Sequence, residues 1–101
     1  MYQTIDVLNA EQLHGLVVLN FGANWCGICK AAQPMIESVL AQYPQFTHIK
    51  IEDAKGKRLG RLHGVKLWPT LIFMKDGTEI QRLVRPTDAY QLEEAIQLTA
   101  S

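Results

Sequence analysis

The sequence predicts a single α/β domain in which a mixed β-sheet is covered by helices on both faces. Three observations lead there. A chain of 101 residues holds one hydrophobic core, because two would leave about 50 residues each. Apolar, β-rich runs alternate along it with segments of helical period. The last two runs are separated by Lys75, Asp76 and Gly77, a tight turn that makes them an antiparallel hairpin and not a crossover pair.

Tyr2 to Val7 alternates and reads as a first strand, followed by a short helix over Asn9 to His14. Leu16, Val17, Val18, Leu19, Asn20 and Phe21 form an apolar, β-rich run, the pattern of a strand buried on both faces. From Cys26 to about Tyr43 the period changes: Met35, Ile36, Val39, Leu40 and Tyr43 fall on one broad face, giving the longest helix. Pro34 inside it removes an amide donor and predicts a bend, and Pro44 ends it. Phe46 to Ile51 is the next strand. Ala54 to Leu62 is a short helix with Leu59 and Leu62 inward and Gly64 at its exit. Leu67 to Met74 and Glu79 to Val84 are the hairpin strands. Asp88 caps the last helix, with Gln91 three residues on and Leu92, Ala95, Ile96 and Thr99 as its buried stripe. No internal repeat or linker divides residues 1–101.

Composition removes several classes of function. Hydrophobic residues at 48% and charged residues at 20% describe a folded globule and not a disordered chain. Ten Lys and Arg balance ten Asp and Glu, which argues against a nucleic-acid binder working by bulk charge. The longest apolar runs are four residues, against about 20 for a bilayer span, so no membrane partner is expected. Met1 to Asn9 carries Asp6 and no basic residue, unlike the start of a secretory signal, and the expected location is the cytoplasm.

Two cysteines, Cys26 and Cys29, are too few for a disulfide scaffold. Structural zinc wants four ligands, and His14, His48 and His63 show no paired spacing, so no metal and no cofactor are expected. A redox dithiol remains, against the plainer alternative of two core cysteines. The context favours the dithiol: Trp25, Cys26, Gly27, Ile28, Cys29 and Lys30 follow a buried strand and open the longest helix. Near the N-cap, Cys26 meets unpaired amides and the positive end of the helix dipole, which favour thiolate and make it the nucleophile. Cys29, one turn on and more shielded, is the resolving thiol. Gly27 permits close approach of a protein substrate, and Trp25 offers an apolar rim.

With Phe21, Ala23, Trp25 to Lys30, Pro34, Pro69, Thr70 and Gly77 in these positions, the chain resembles the thioredoxin family along essentially its whole length. The resemblance implies the thioredoxin fold, a cis Pro69 beside the dithiol, and a Trp68 backbone presented to an extended substrate. It also implies disulfide-containing protein substrates, a role in electron transport and cell redox homeostasis, and recharging by a thioredoxin-reductase-like or other thiol donor.

The chain departs from the family pattern at several positions. Ile28 stands where a proline usually separates the cysteines, restoring an amide donor at the helix start and pointing to a less strongly reducing couple. Asn20 stands where a buried carboxylate is usual, so Cys29 must lose its proton through water or another route; its plainer reading is a buried amide with satisfied hydrogen bonds. Either Lys50 or His48 matches the lysine usually paired with that carboxylate. Gly22 replaces a common tryptophan and opens space, Trp68 is larger than the usual aliphatic residue, and Arg85 replaces a glycine on the substrate-facing side. Trp25, Gly27, Ile28, Trp68, Pro69, Asn20 and Arg85 are thus the expected residues shaping the site. His63 reads as a helix-end residue and not a base.

Residues 55–66 carry five basic and no acidic side chains, Lys55, Lys57, Arg58, Arg61 and Lys66. Acidic protein partners or an ordinary solvated face both account for them. The leading function is a cytoplasmic protein-disulfide reductase. A disulfide oxidase or isomerase, and a redox-inactive binding module on the same fold, are the alternatives.

Overall fold

The structure is a computed structural model and describes residues 1–54 and 57–101. The apolar run from Leu16 becomes β1 (Leu16–Gly22), paired on both edges and buried from Val17 onward because both of its faces are covered. α1 (Gly27–Ala41) follows, then β2 (Phe46–Glu52), α2 (Arg58–Leu62), β3 (Thr70–Lys75), β4 (Thr78–Val84) and α3 (Ala89–Ala100). The sheet order is β2-β1-β3-β4, with β1 parallel to β2 and antiparallel to β3, and β3 antiparallel to β4. This is the expected mixed sheet between helices. The hairpin closes through Asp76 and Gly77, both at positive φ (49° and 84°), the two-residue turn whose twist matches paired strands.

Alternation along the central strands divides the core. Val18, Leu71 and Phe73 pack with Ile36 and Leu40 of α1 and Leu92 and Ile96 of α3. Val17, Leu19, Phe21 and Ile72 point the other way, against Leu59 of α2 and the partly buried Ile5, Leu8 and Leu13. α3 starts as expected: Asp88 accepts from the Gln91 amide at 3.0 Å and the Gln91 side chain returns the bond.

Several boundaries differ from expectation. The strand expected over Tyr2 to Val7 shrinks to one bridge, Gln3 opposite Ile51. Tyr2 is buried on one parity while Ile5 lies on the other and Val7 is exposed, so no single face repays a longer ladder. The helix expected over Asn9 to His14 is one turn, stopped by Gly15 at φ 77°. α1 ends at Ala41, where the Gln42 and Tyr43 amides tighten onto the Val39 and Leu40 carbonyls. β3 begins at Thr70 and not Leu67, because Pro69 has no amide to pair and the Thr70 hydroxyl turns back to the Leu67 carbonyl. Within α2, Leu59 is buried but Leu62 is exposed, against expectation: five residues present only one inward face. The helix expected from Ala54 starts instead at Arg58, with Lys57 as its N-cap, while Lys55 of the basic cluster lies outside the described residues.

Candidate active site

β1 delivers the chain to one end of the sheet at Gly22, and α1 starts five residues later. Cys26 is the N-cap of α1, in extended conformation, and its sulfur accepts the Cys29 amide at 3.3 Å. That amide is one of the donors a helix start leaves without an intrahelical partner. Cys26 is half-buried and Cys29 fully buried, and both are free thiols. Burial pushes the Cys29 thiol up to about 11, and its contact with the Cys26 sulfur adds to this, while the Ala23 backbone and the Tyr2 hydroxyl pull the other way. One sulfur is therefore presented and the other held back as a thiol.

Behind Cys29 lies a polar cluster centred on the buried Asn20. The Tyr2 hydroxyl donates to Asn20 Oδ1 at 2.9 Å and accepts from Gln33 Nε2 at 2.5 Å. Asn20 Nδ2 in turn reaches Gln33 Oε1 at 3.2 Å and His48 Nε2 at 3.0 Å. Asn20 is completely buried, so it does not touch the substrate groove and shapes the site only from behind. Its plainer reading, a satisfied amide, is the correct one. Of the two candidate partners, His48 meets Asn20; Lys50 pairs instead with Glu37. Burial, with the Lys50 charge beside it, pushes His48 down to about 4, so the ring is neutral at pH 7 and its Nε2 accepts the Asn20 amide. Burial and the nearby Cys29 raise Tyr2 well above the ordinary tyrosine range, which keeps its proton in place.

Gly22 explains how Tyr2 arrives there. A Cβ on Gly22 would lie 2.5 Å from the Tyr2 hydroxyl and 2.9 Å from the Cys29 sulfur. Tyr2 from the N-terminal segment fills the space beside Gly22. Gly27, by contrast, has nothing within 4 Å of its Cβ direction, leaving open the approach to Cys26.

The opposite rim is made by Trp25, Trp68, Pro69 and Arg85. The Trp68–Pro69 bond is cis. Trp25 is 68% exposed and meets Trp68 edge-on, ring centroids 5.4 Å apart. Trp68 Nε1 donates to the buried Asp53 carboxylate at 2.8 Å, anchoring the indole from below. Arg85 donates from Nε to the Trp68 carbonyl at 2.8 Å and from its amide to the Pro69 carbonyl at 2.8 Å. Ile28 is exposed beside this rim, in a groove it shares with Pro69 and Arg85. Among the described residues, no three His, Cys, Asp or Glu side chains converge on a point where a metal would sit.

The model of the family described as Thioredoxin matches residues 6–98. The chain belongs to the thioredoxin family. A thioredoxin of Chlamydia trachomatis is 40% identical over 70 residues, 69% of each chain, and thioredoxin-1 of Saccharomyces cerevisiae is 36% identical over 84% of this chain and 82% of its own. The structure of thioredoxin 2 from Pseudomonas aeruginosa in its reduced form superposes with a TM-score of 0.82 at 43% identity, covering 98% of this chain and 94% of that one. As a thioredoxin family member with its dithiol in place, the chain is a thiol–disulfide oxidoreductase that reduces protein disulfides. The oxidase and binding-module alternatives are not favoured.

Of the residues expected from sequence, Cys26, Cys29, Trp25, Gly27, Ile28, Trp68, Pro69 and Arg85 gather at one end of the sheet, and Asn20 stands behind them. Tyr2, Gln33 and Asp53 escaped sequence reading. For Tyr2 a signal existed: the glycine at position 22 leaves a void beside a thiol that something must fill.

Proposed function

We propose that Cys26 is the attacking sulfur, Cys29 the resolving one, and Tyr2 the donor that eases the Cys29 proton off. The observation that carries this reading is the inequality of the two sulfurs: Cys26 half-buried at a helix N-cap, Cys29 buried behind it with a phenol at hand. In the reductive half-cycle, the Cys26 thiolate attacks one sulfur of a protein disulfide, and the other substrate sulfur leaves and takes a proton. Cys29 then gives up its proton, attacks the Cys26 sulfur, and releases the second substrate thiol. The chain ends as a Cys26–Cys29 disulfide, having passed two electrons to the substrate, whose two released sulfurs take their protons from solvent.

Deprotonating a buried thiol held up to about 11 is the demanding step. With an amide at position 20 there is no carboxylate to take that proton. The Tyr2 hydroxyl, never ionised itself, stabilises the emerging Cys29 anion by swinging its hydrogen bond from Asn20 Oδ1 to sulfur, while Gln33 holds the phenol oxygen. The proton itself leaves to solvent.

A thiol donor of the thioredoxin-reductase class recharges the disulfide in this reading, and the cytoplasm is the compartment that keeps such a couple reduced. Arg58, Arg61 and Lys66, exposed on and after α2, support contacts with acidic protein partners. Brief alkylation of the reduced protein at pH 7 followed by peptide mapping tests the assignment of the sulfurs. Cys26 is expected to carry the label first; label on Cys29 with Cys26 untouched would reverse the roles.

A further inference from the structure

Arg85 is bound in a way that a merely solvated arginine is not. It follows β4 at φ 52°, a left-handed conformation that is strained for a residue with a Cβ and is a reason to look for function. Two bonds hold it there: the amide on the Pro69 carbonyl, and Nε on the Trp68 carbonyl. The Nε bond fixes the plane of the guanidinium and leaves the pair of terminal nitrogens as an unused fork. Among the described residues no carboxylate pairs with it, whereas the nearby Arg82 is paired with Glu79 and also donates to the His63 carbonyl.

The guanidinium stands at the edge of a groove of about 460 Å³ whose other walls include Ile28, Ala32, Met35, Pro69 and Thr87. Ile28 lies between the two cysteines in sequence, so a segment whose disulfide is at Cys26 lies along this groove. Its walls are largely apolar and its one charge is positive, unpaired and already oriented. A carboxylate meets two parallel N–H donors end-on without breaking the Trp68 bond, and the cost of ordering the arginine is met before substrate arrives.

We propose that Arg85 and this groove form a subsite that selects protein substrates carrying Asp or Glu close to the reactive cysteine, with an apolar neighbour against Ala32 and Met35. The proposal rests on the disulfide-reductase activity of the chain. The chemistry is unchanged by it: the substrate disulfide gains two electrons and Cys26–Cys29 is oxidised, Arg85 contributing only to binding.

Three disulfide-linked peptides identical except for Glu, Gln or Lys beside one cysteine test it, each reduced by the wild-type protein and by Arg85→Glu. For wild type, kcat/KM is expected to be about 3- to 10-fold higher for the Glu than for the Lys peptide at low salt, shrinking toward unity at high salt, as a partly exposed ion pair requires. Arg85→Glu is expected to invert the order. Equal rates for the Glu and Lys peptides with wild type, or a preference that persists unchanged in Arg85→Glu, would overturn the subsite. The wild-type salt series stands alone if the variant does not fold. Failure of wild type to reduce any of the three peptides would instead count against the underlying activity, which separates the two outcomes.

Discussion

The Tyr2 hydroxyl and the Cys29 sulfur share one small space, both within 3 Å of where a side chain on Gly22 would begin. The pairing joins the first residues of the chain to the less accessible half of the dithiol. It also places a permanent hydrogen-bond donor beside a thiol that burial holds at about 11. Tyr2→Phe keeps the ring and removes only the donor. Cys29 is then expected to titrate above 11, and release of the mixed disulfide to slow by on the order of 10-fold at pH 7, the size of one hydrogen bond to a charged group. Cys26 alkylation should be unaffected. The check is single-turnover kinetics across pH: unchanged resolution rates would remove Tyr2 from the chemistry.

Gly22→Ala asks whether that space is as full as it looks. The new methyl would press on the Tyr2 ring and the Cys29 sulfur together. Tyr2 must move, and the expected cost is about 1–3 kcal/mol, read as a lower urea midpoint with unchanged slope. A variant as stable as wild type, with Tyr2 fluorescence unaltered, would show the packing to be loose.

His48 gives stability a pH dependence whose sign follows from its burial. The folded protein keeps the ring neutral down to about 4, whereas the unfolded chain binds a proton below the ordinary 6.5. The unfolded state therefore takes up more protons between these values, and stability present above pH 6.5 is lost as pH falls to about 4. The loss due to this group is on the order of 2–3 kcal/mol. His63, also lowered by burial, adds loss of the same sign in that direction. Urea unfolding at pH 7, 6 and 5 is expected to show a shallower decline for His48→Gln, which retains an acceptor for Asn20 and cannot titrate. Parallel declines would assign the effect elsewhere.

The buried end of the Trp68–Asp53 pair leads to a fourth expectation. Trp68→Phe leaves the Asp53 carboxylate, now donated to by the indole, short of a partner under α2. Leaving a buried acceptor unsatisfied costs about 1–3 kcal/mol, and the double variant Trp68→Phe with Asp53→Leu is expected to lose less than the sum of the single changes. Thermal unfolding of the four proteins in that cycle measures it; additive losses would mean that the two side chains are not coupled.

The sequence carried the sheet, the long helix and the dithiol because each is a local pattern. Leu16 to Phe21 is apolar apart from Asn20, the period changes after Cys26, and Asp88 with Gln91 is a self-contained cap. Elements that depend on distant neighbours were hidden. Tyr2 to Val7 looks like a strand until one sees that its apolar residues point both ways, and Leu62 has helical spacing but no surface above it to meet. The same limit separates the two halves of the site. Cys26 and Cys29 announce themselves by spacing, while Tyr2 and Gln33 are 31 residues apart in the chain and meet only through the tertiary packing of α1 and the N-terminal segment. Asn20 pointed to the gap in the proton chemistry without showing what fills it.

The central claim is that Cys26 attacks and Cys29 resolves. Incubating Cys29→Ser and Cys26→Ser separately with a disulfide-bonded protein, then separating the products without reductant, tests it most directly. A stable, dithiothreitol-cleavable adduct through Cys26 is expected in Cys29→Ser, and little or none in Cys26→Ser. Adducts forming chiefly through Cys29, or in neither variant while wild type still reduces the same protein, would contradict it.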